Sequence, residues 1–329
     1  MADLSTKYMG LSLKNPVIVG SSGLTNSTEN IIKIEQSGAG AVVLKSLFEE
    51  QIRYEVSKAL TSDDESMNMY PEAMDYISNY SKNHKINAYL DLIRDSKAAT
   101  DIPIIASINC VSATEWTSFA KKIQDAGADA LELNVFVLPS DPNHGAAENE
   151  KLYFDLAETV LKQVSIPVSL KISHYFSGLA RFTRQLSWTG IKGMVLFNRF
   201  FSPDIDINNF KVISTNVFST PEEISISLHW VAMLSDILHC DISASTGVHD
   251  GQGVIKQLLA GATTVQVTSV LYKEGFARIP AMLNELTAWM DKNNFAKIED
   301  FRGKMSYKLT ENPAAYERMQ FMKHFAGIE

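Results

Sequence analysis

Cysteine is scarce in this chain, with only Cys110 and Cys240 among 329 residues. Two thiols cannot build a disulfide framework, and no spacing matches a zinc or iron–sulfur ligand set. A reducing cytoplasm is therefore the expected home, with no metal site. Basic clusters are also missing: 30 Lys and Arg face 38 Asp and Glu, a net charge of −8. That balance favours solubility and argues against a nucleic-acid-binding surface. Neither an uninterrupted apolar stretch of about 18 residues nor a basic segment leading into an apolar one is found, so no membrane span or signal peptide is expected. Low-complexity tracts are absent as well.

What the chain has is a beat. Short β-branched apolar runs, each followed by a helical pattern, recur at Pro16 to Ser21, Ala41 to Ser46, Ile102 to Ser107, Ala130 to Asn134, Ile166 to Lys171, Ile191 to Asn198, Cys240 to Ser245 and Thr263 to Thr268. Eight such units with 45% hydrophobic residues predict one α/β domain, a (β/α)8 TIM barrel. The barrel is expected over residues 1–294, its bottom closed by a hairpin in residues 1–14. A long interruption at 47–85, rich in Met and Tyr, reads as a lid, and residues 295–329 as a segment packed outside. Helices are expected at 27–37, 87–99, 112–126, 148–164, 178–188, 251–259 and 275–292, with a small hairpin inside 199–219.

In this fold the carboxyl ends of the strands carry the chemistry. Those ends offer Ser21, Lys45, Ser107, Asn134, Lys171, Asn198, Thr246 and Thr268. The last two turns, Thr246-Gly247 and Thr268-Ser269, have the hydroxyls and close-approach glycine that suit a phosphate; alternatively, Gly247 only turns the chain and Thr268 only ends a strand. Lys45 and Lys171 each close a rigid strand, where an ammonium can stabilise an anionic ring or carboxylate. The competing role is pairing with a core carboxylate such as Glu132, or snorkelling to solvent. Asn134 and Asn198 can hydrogen-bond the amide edges of a heterocycle, although asparagine also serves as a plain strand terminator.

The segments NPVIVGSSG, GAGAVVLKS, ASINCVSATEW, GADALELN, PVSLKIS and GATTVQVTSVLYKEG occur in order at the strand ends. Together they resemble the dihydroorotate dehydrogenase family, specifically its soluble class 1 branch, over roughly residues 5–303. The resemblance implies an FMN-containing barrel, usually dimeric, that oxidises a ring CH–CH bond by hydride transfer to flavin in pyrimidine biosynthesis. On this resemblance Ser21, Ser22 and Gly23 touch the flavin, and Lys45 with Ser46 lies near flavin and substrate. Ser107 and Asn134 face the isoalloxazine, with Asn134 also reaching substrate. Lys171 supports the N1/O2 edge of the reduced flavin, where a cation favours hydride acceptance. Asn198 contacts substrate, and Gly247, Thr268 and Ser269 form the phosphate turns.

The chain departs from the family pattern in three places. Class 1 enzymes carry a basic cysteine in an Asn-Leu-Ser-Cys-Pro-Asn type loop, whereas this loop reads Asn134-Val135-Phe136-Val137-Leu138-Pro139. The cysteine's place is taken by Val137 or a near neighbour, with no thiol or hydroxyl at that spot; a valine cannot accept a proton, and a general base contributes about 10²–10⁴-fold. The Asn-Ser pair after strand six is Asn198-Arg199, and the glycine-rich flavin loop reads Val217-Phe218-Ser219-Thr220. His174, His144 or Ser140 could replace the base, or Arg199 could receive an anion of a changed substrate. A non-catalytic FMN-binding subunit and a flavin-free aldolase using Lys171 or Lys45 are the other readings. The family further implies as oxidant either fumarate or nicotinamide reached through a partner iron–sulfur subunit, and the segment around Phe321, Met322 and Phe325 is a candidate dimer contact.

Overall fold

The computed structural model describes residues 2–48, 71–110, 117–200, 202–215 and 217–317. An antiparallel hairpin opens the chain, β1 (Thr6–Tyr8) against β2 (Leu11–Leu13). The barrel strands follow as β3 (Val17–Val19), β4 (Ala41–Val43), β6 (Ile104–Cys110), β7 (Ala130–Val135), β8 (Val168–Ile172), β9 (Gly193–Leu196), β12 (Asp241–Ser245) and β13 (Thr264–Val267). Every neighbouring pair is parallel, and β4 pairs with both β3 and β6, so the sheet closes on itself. A short β5 (Leu47–Phe48) extends the pairing along β6. This is the closed eight-stranded (β/α)8 barrel that the apolar runs predict.

Helices α1 (Thr28–Gln36), α2 (Pro71–Ala99), α3 (Thr117–Asp125), α4 (Ala146–Leu161), α5 (Leu179–Ser187), α6 (Ile224–Leu234), α7 (Gly251–Ala260), α8 (Ser269–Glu274) and α9 (Arg278–Lys292) alternate with the strands. Local chemistry sets several of their ends. The Ser27 hydroxyl accepts from Asn30 N at the start of α1, Asp250 Oδ1 accepts from Gly253 N at the start of α7, and Gly261 at φ 115° closes α7. Two expectations need correction. Helix α2 begins at Pro71 rather than Asn87, so residues 71–85 of the expected lid are helical; the rest of that lid, from 49 to 70, lies outside the described residues. Helix α6 was not expected, because IleSerIleSerLeuHisTrpValAlaMetLeu has no polar face from which to read a helical period.

A second hairpin, β10 (Ser202–Asp206) with β11 (Lys211–Thr215), stands where the polar stretch after strand six suggests one. After α9, the chain runs over the outside of α6 and α7: Gly303 N and Met305 N donate to Leu258 O and Leu259 O, and Tyr307 N to Ala232 O. The Phe321, Met322 and Phe325 segment, like the Ser112 helix start, falls outside the described residues. No helix among the described residues is long and apolar enough to cross a membrane.

Strand alternation divides the core in two. Val17, Val19, Val42, Leu44 and Ile104 point outward into the helices as part of the main cluster. Ile18, Ala41, Val43, Ile105 and Ala130 point inward and pack with Tyr8, Met9 and Leu13 from the first hairpin. The hairpin thus plugs the bottom of the barrel. Gly193 makes room for it: a Cβ there would lie 2.8 Å from Tyr8 Oη and 2.9 Å from Met9 Cγ. Above this apolar floor the same inward faces turn polar, with Ser107, Glu132, Ser169, Lys171, Ser243 and Gln266 all buried.

Candidate functional site

The inward polar layer converges on Lys171. Its Nζ donates to Gln266 Oε1 at 3.1 Å, and Gln266 Nε2 donates to Glu132 Oε2 at 2.6 Å. Three strands, β8, β13 and β7, therefore meet through one carboxamide. Glu132 is 1% exposed. Burial pushes its carboxyl above the ordinary range, and the Lys171 ammonium pulls in the other direction. The expected alternative for Lys171, pairing with Glu132, is thus realised indirectly, while the ammonium still reaches the cavity above it.

That cavity, of about 210 Å³, is lined by Ser21, Lys171, Asn198, Arg199, Thr246, Gly247, Thr268 and Ser269 among others. Eight residues singled out from sequence thus meet around one space. Its far wall is the pair of turns. Thr246 and Gly247 both take positive φ, 77° and 78°; the left-handed region is uncommon for a β-branched residue. A Cβ on Gly247 would fall 2.1 Å from Ile224 N, so only glycine fits the turn. The loop before α6 closes the wall: Ser219 N donates to Ser269 Oγ at 3.0 Å, and Ser219 Oγ pairs with His249 Nε2 at 3.0 Å. Lys273 Nζ and Arg278 Nε bond Ser219 O and His249 O. His249 is held below the usual imidazole range, first by burial and then by Lys273.

A line of hydroxyls runs along the next rim. Ser21 Oγ meets Ser46 Oγ at 3.0 Å, Ser46 Oγ meets Ser107 Oγ at 2.7 Å, and Tyr89 Oη both donates to Ser107 O and accepts from Ser107 N. Ser22 is engaged locally as a cap, accepting from Leu24 N. A Cβ on Gly23 would lie 2.7 Å from Tyr272 Oη and one on Gly20 2.6 Å from Thr268 Oγ1, so both glycines keep the backbone close to the last turn. Lys45, two residues past the end of β4, is half-buried with its backbone N–H on Thr25 O. Asn198 Nδ2 donates to Asn134 Oδ1 at 2.9 Å, joining the two predicted asparagines. Asn109, which sequence reasoning passed over, is in register with Asn134 and shares a strand face with Ser107. Gln266 and His249 were also missed. Gln266 lies inside an apolar run, and only closure of the barrel brings it to Lys171.

On the other side of Asn198, Arg199 and Thr246 lies a second cavity of about 190 Å³ with His174, Tyr175, Phe197 and Phe200 on its walls. His174 stacks on Tyr175 at 4.4 Å and meets Phe197 edge-on; burial lowers its pKa, keeping the ring neutral. Arg199 is gripped by Glu223 through Nε at 2.8 Å and Nη2 at 3.2 Å, and by Val217 O. In the loop after β7, Val137 is half-buried and Phe136 packs on Phe200. His144 sits exposed against Asp141. Among the described residues no group of three or more His, Cys, Asp or Glu could hold a metal ion.

Chemically, the first cavity presents a cation on a rigid floor and amide and hydroxyl groups along one rim. At its far end two turns bear hydroxyls and the close-approach Gly247. That arrangement suits a phosphate ester carrying an electron-poor heterocycle. The chain matches the family model for dihydroorotate dehydrogenase over residues 3–290. It is 26% identical over 309 residues to the dihydroorotate dehydrogenase B (NAD(+)) catalytic subunit of Thermoplasma acidophilum, covering 92% of this chain and 99% of that one. The proteins of the same description from Methanocaldococcus jannaschii and Bacillus cereus are 28% and 26% identical, covering 90% and 94% of this chain and 96% and 99% of theirs. The chain belongs to the dihydroorotate dehydrogenase family, whose members are FMN-dependent oxidoreductases acting on a CH–CH bond.

Proposed function

We propose that this protein is an FMN-dependent oxidoreductase that oxidises a CH–CH bond of a small ring substrate. The single observation that carries the reading is the Lys171–Gln266–Glu132 floor beneath a cavity whose far wall is the Thr246-Gly247 and Thr268-Ser269 pair of turns. FMN, when bound, supplies a ring that accepts hydride at N5. In this reading Gly247, Thr268 and Ser269 hold the phosphate. Ser21, Ser22, Gly23, Ser46 and Ser107 border the ring, with Lys45 beside ring and substrate. Lys171 offsets negative charge at the N1/O2 edge. Asn134 and Asn198, already bonded to each other, orient the substrate through their amides. His174, kept neutral by burial, is the nearby group able to receive a proton, with Tyr175, Phe197 and Phe200 around it.

The substrate reading is shaped by Val137 and Arg199. No proton acceptor stands at Val137, and the Arg199 guanidinium is occupied by Glu223 through Nε and Nη2 and by Val217 O through Nη1, so Arg199 holds the wall rather than an anion. With Val137, this occupied guanidinium favours a substrate other than dihydroorotate. We read the assembly as a cytoplasmic homodimer working with an electron-transfer partner; the relatives named above are catalytic subunits. The deciding experiment is anaerobic addition of dihydroorotate to the purified flavoprotein while the oxidised-flavin band at about 450 nm is followed. Bleaching assigns dihydroorotate as substrate. A stable yellow protein that other ring substrates bleach assigns the altered specificity, and a protein that takes up no FMN removes the proposal.

A further inference from the structure

The floor of the cavity holds two charges, and the function proposed above uses only one. Lys171 lines the cavity, whereas Glu132 lies beneath it at 1% exposure, outside the lining, and accepts only from Gln266. A buried carboxylate without a counter-charge is costly, and so is a buried ammonium. The carboxamide between them has one workable orientation. An ammonium can only donate, so Gln266 must turn its oxygen to Lys171 and its NH₂ to Glu132, whose Oε2 then accepts. The amide dipole therefore lies along the line from cation to anion, and each end strengthens the other.

We propose that Gln266 and Glu132 are positioning residues that act through Lys171: the carboxamide fixes the ammonium beneath the flavin site, and the carboxylate balances its charge. The floor then presents a tethered ion pair instead of a bare cation. The inference rests on the FMN reading above. Its consequence is electrostatic. A bare cation would favour the negatively charged reduced ring over the neutral oxidised one more strongly than a tethered pair does, so Glu132 moderates the reduction equilibrium while Gln266 transmits its effect.

The test is potentiometric titration of FMN-loaded wild type, Glu132→Gln, Lys171→Met and the double variant, with FMN affinity measured separately by quenching of flavin fluorescence. Glu132→Gln is expected to favour reduction about tenfold, which is about 30 mV positive for two electrons. In the Lys171→Met background no cation opposes the burial that raises the Glu132 carboxyl, so the group is driven towards its neutral form and the same change should move the potential little. An equal shift in both backgrounds would mean that Glu132 acts as a remote charge and overturns the proposal, as would the absence of a shift. Should Lys171→Met fail to load FMN, the comparison is made in Gln266→Leu, which keeps both charges and removes the bridge. An undiminished Glu132→Gln shift there also overturns it. If wild type binds no FMN, the cofactor reading falls and this proposal with it; normal binding with flat potentials removes this proposal alone.

Discussion

Replacing Lys171 with methionine should cost the fold more than its single hydrogen bond suggests. The substitution keeps most of the side-chain volume but removes the cation that Gln266 links to Glu132 at 3.1 and 2.6 Å. Glu132 then remains inside the barrel without a counter-charge, and breaking a buried pair in this way costs about 3–5 kcal/mol. Adding Glu132→Gln removes the stranded charge and keeps an acceptor for Gln266, so the double variant should regain about 2–3 kcal/mol. Chemical denaturation of the apo-protein, followed by tryptophan fluorescence, measures all three. The penalty also has a pH signature. Burial raises the Glu132 carboxyl in the folded state, so its contribution is most favourable when protonated and is lost as pH rises from the unfolded carboxyl range through the folded value. Without Lys171 to oppose that shift, the deficit of Lys171→Met should grow as pH rises above the unfolded carboxyl range. A loss below about 1 kcal/mol, or a double variant as unstable as the sum of its parts, would refute a charge-coupled floor.

Other consequences are simpler to check. Gly193→Ala sets a methyl 2.8 Å from Tyr8 Oη and 3.0 Å from Met9 Sδ; overpacking of this kind costs about 1–3 kcal/mol, and an unchanged melting temperature would show that the hairpin plug is loose. Gly247→Ala strains a residue at φ 78° and drives a Cβ into Ile224 N, so FMN should bind about tenfold to hundredfold more weakly, at about 1.4 kcal/mol per factor of ten. Wild-type affinity in an isothermal titration would contradict the phosphate-turn assignment. His249 is neutral in the folded chain because burial lowers its pKa. As pH falls below about 6.5 the unfolded chain takes up a proton first, so wild type should lose stability relative to His249→Gln between pH 7.5 and 5.5. Parallel denaturation profiles would rule that out.

The fold was legible because each barrel strand is buried on both faces and leaves a continuous apolar run, as VIV and AVV do at β3 and β4. Strand ends were legible for the same reason, since polarity returns where Lys171 reaches the cavity and Asn134 meets Asn198. Elements without such contrast were not. Helix α6 is apolar almost all round, and the first turns of α2 are crowded with Tyr and Met in a pattern that reads as loop. Within the site, spacing pointed to Thr246-Gly247 and Thr268-Ser269, but it could not reveal Gln266 as the link to Glu132, 134 positions away. Ser219 and His249 escaped similarly, because their 3.0 Å contact joins two loops that only the closed barrel brings together.

This difference in legibility bears on how the site diverges. Floor residues sit on strands whose register is fixed by backbone hydrogen bonds: Asn109, Asn134 and Lys171 lie at one level of β6, β7 and β8. To change one of them is to disturb a buried network that must stay satisfied. Wall residues come from loops, where replacement is cheaper. The loop after β7 places no proton acceptor at Val137 and packs Phe136 on Phe200, beside Tyr175. After β9, Arg199 is spent on Glu223. In the proposed function, floor and turns constrain the cofactor end while the loops shape the substrate end. On this argument, restoring a cysteine at Val137 alone should not create efficient dihydroorotate oxidation, because the aromatic wall and the Arg199–Glu223 pair still shape the pocket. Rapid flavin bleaching by dihydroorotate in Val137→Cys, with none in wild type, would show that the base was the only element lost.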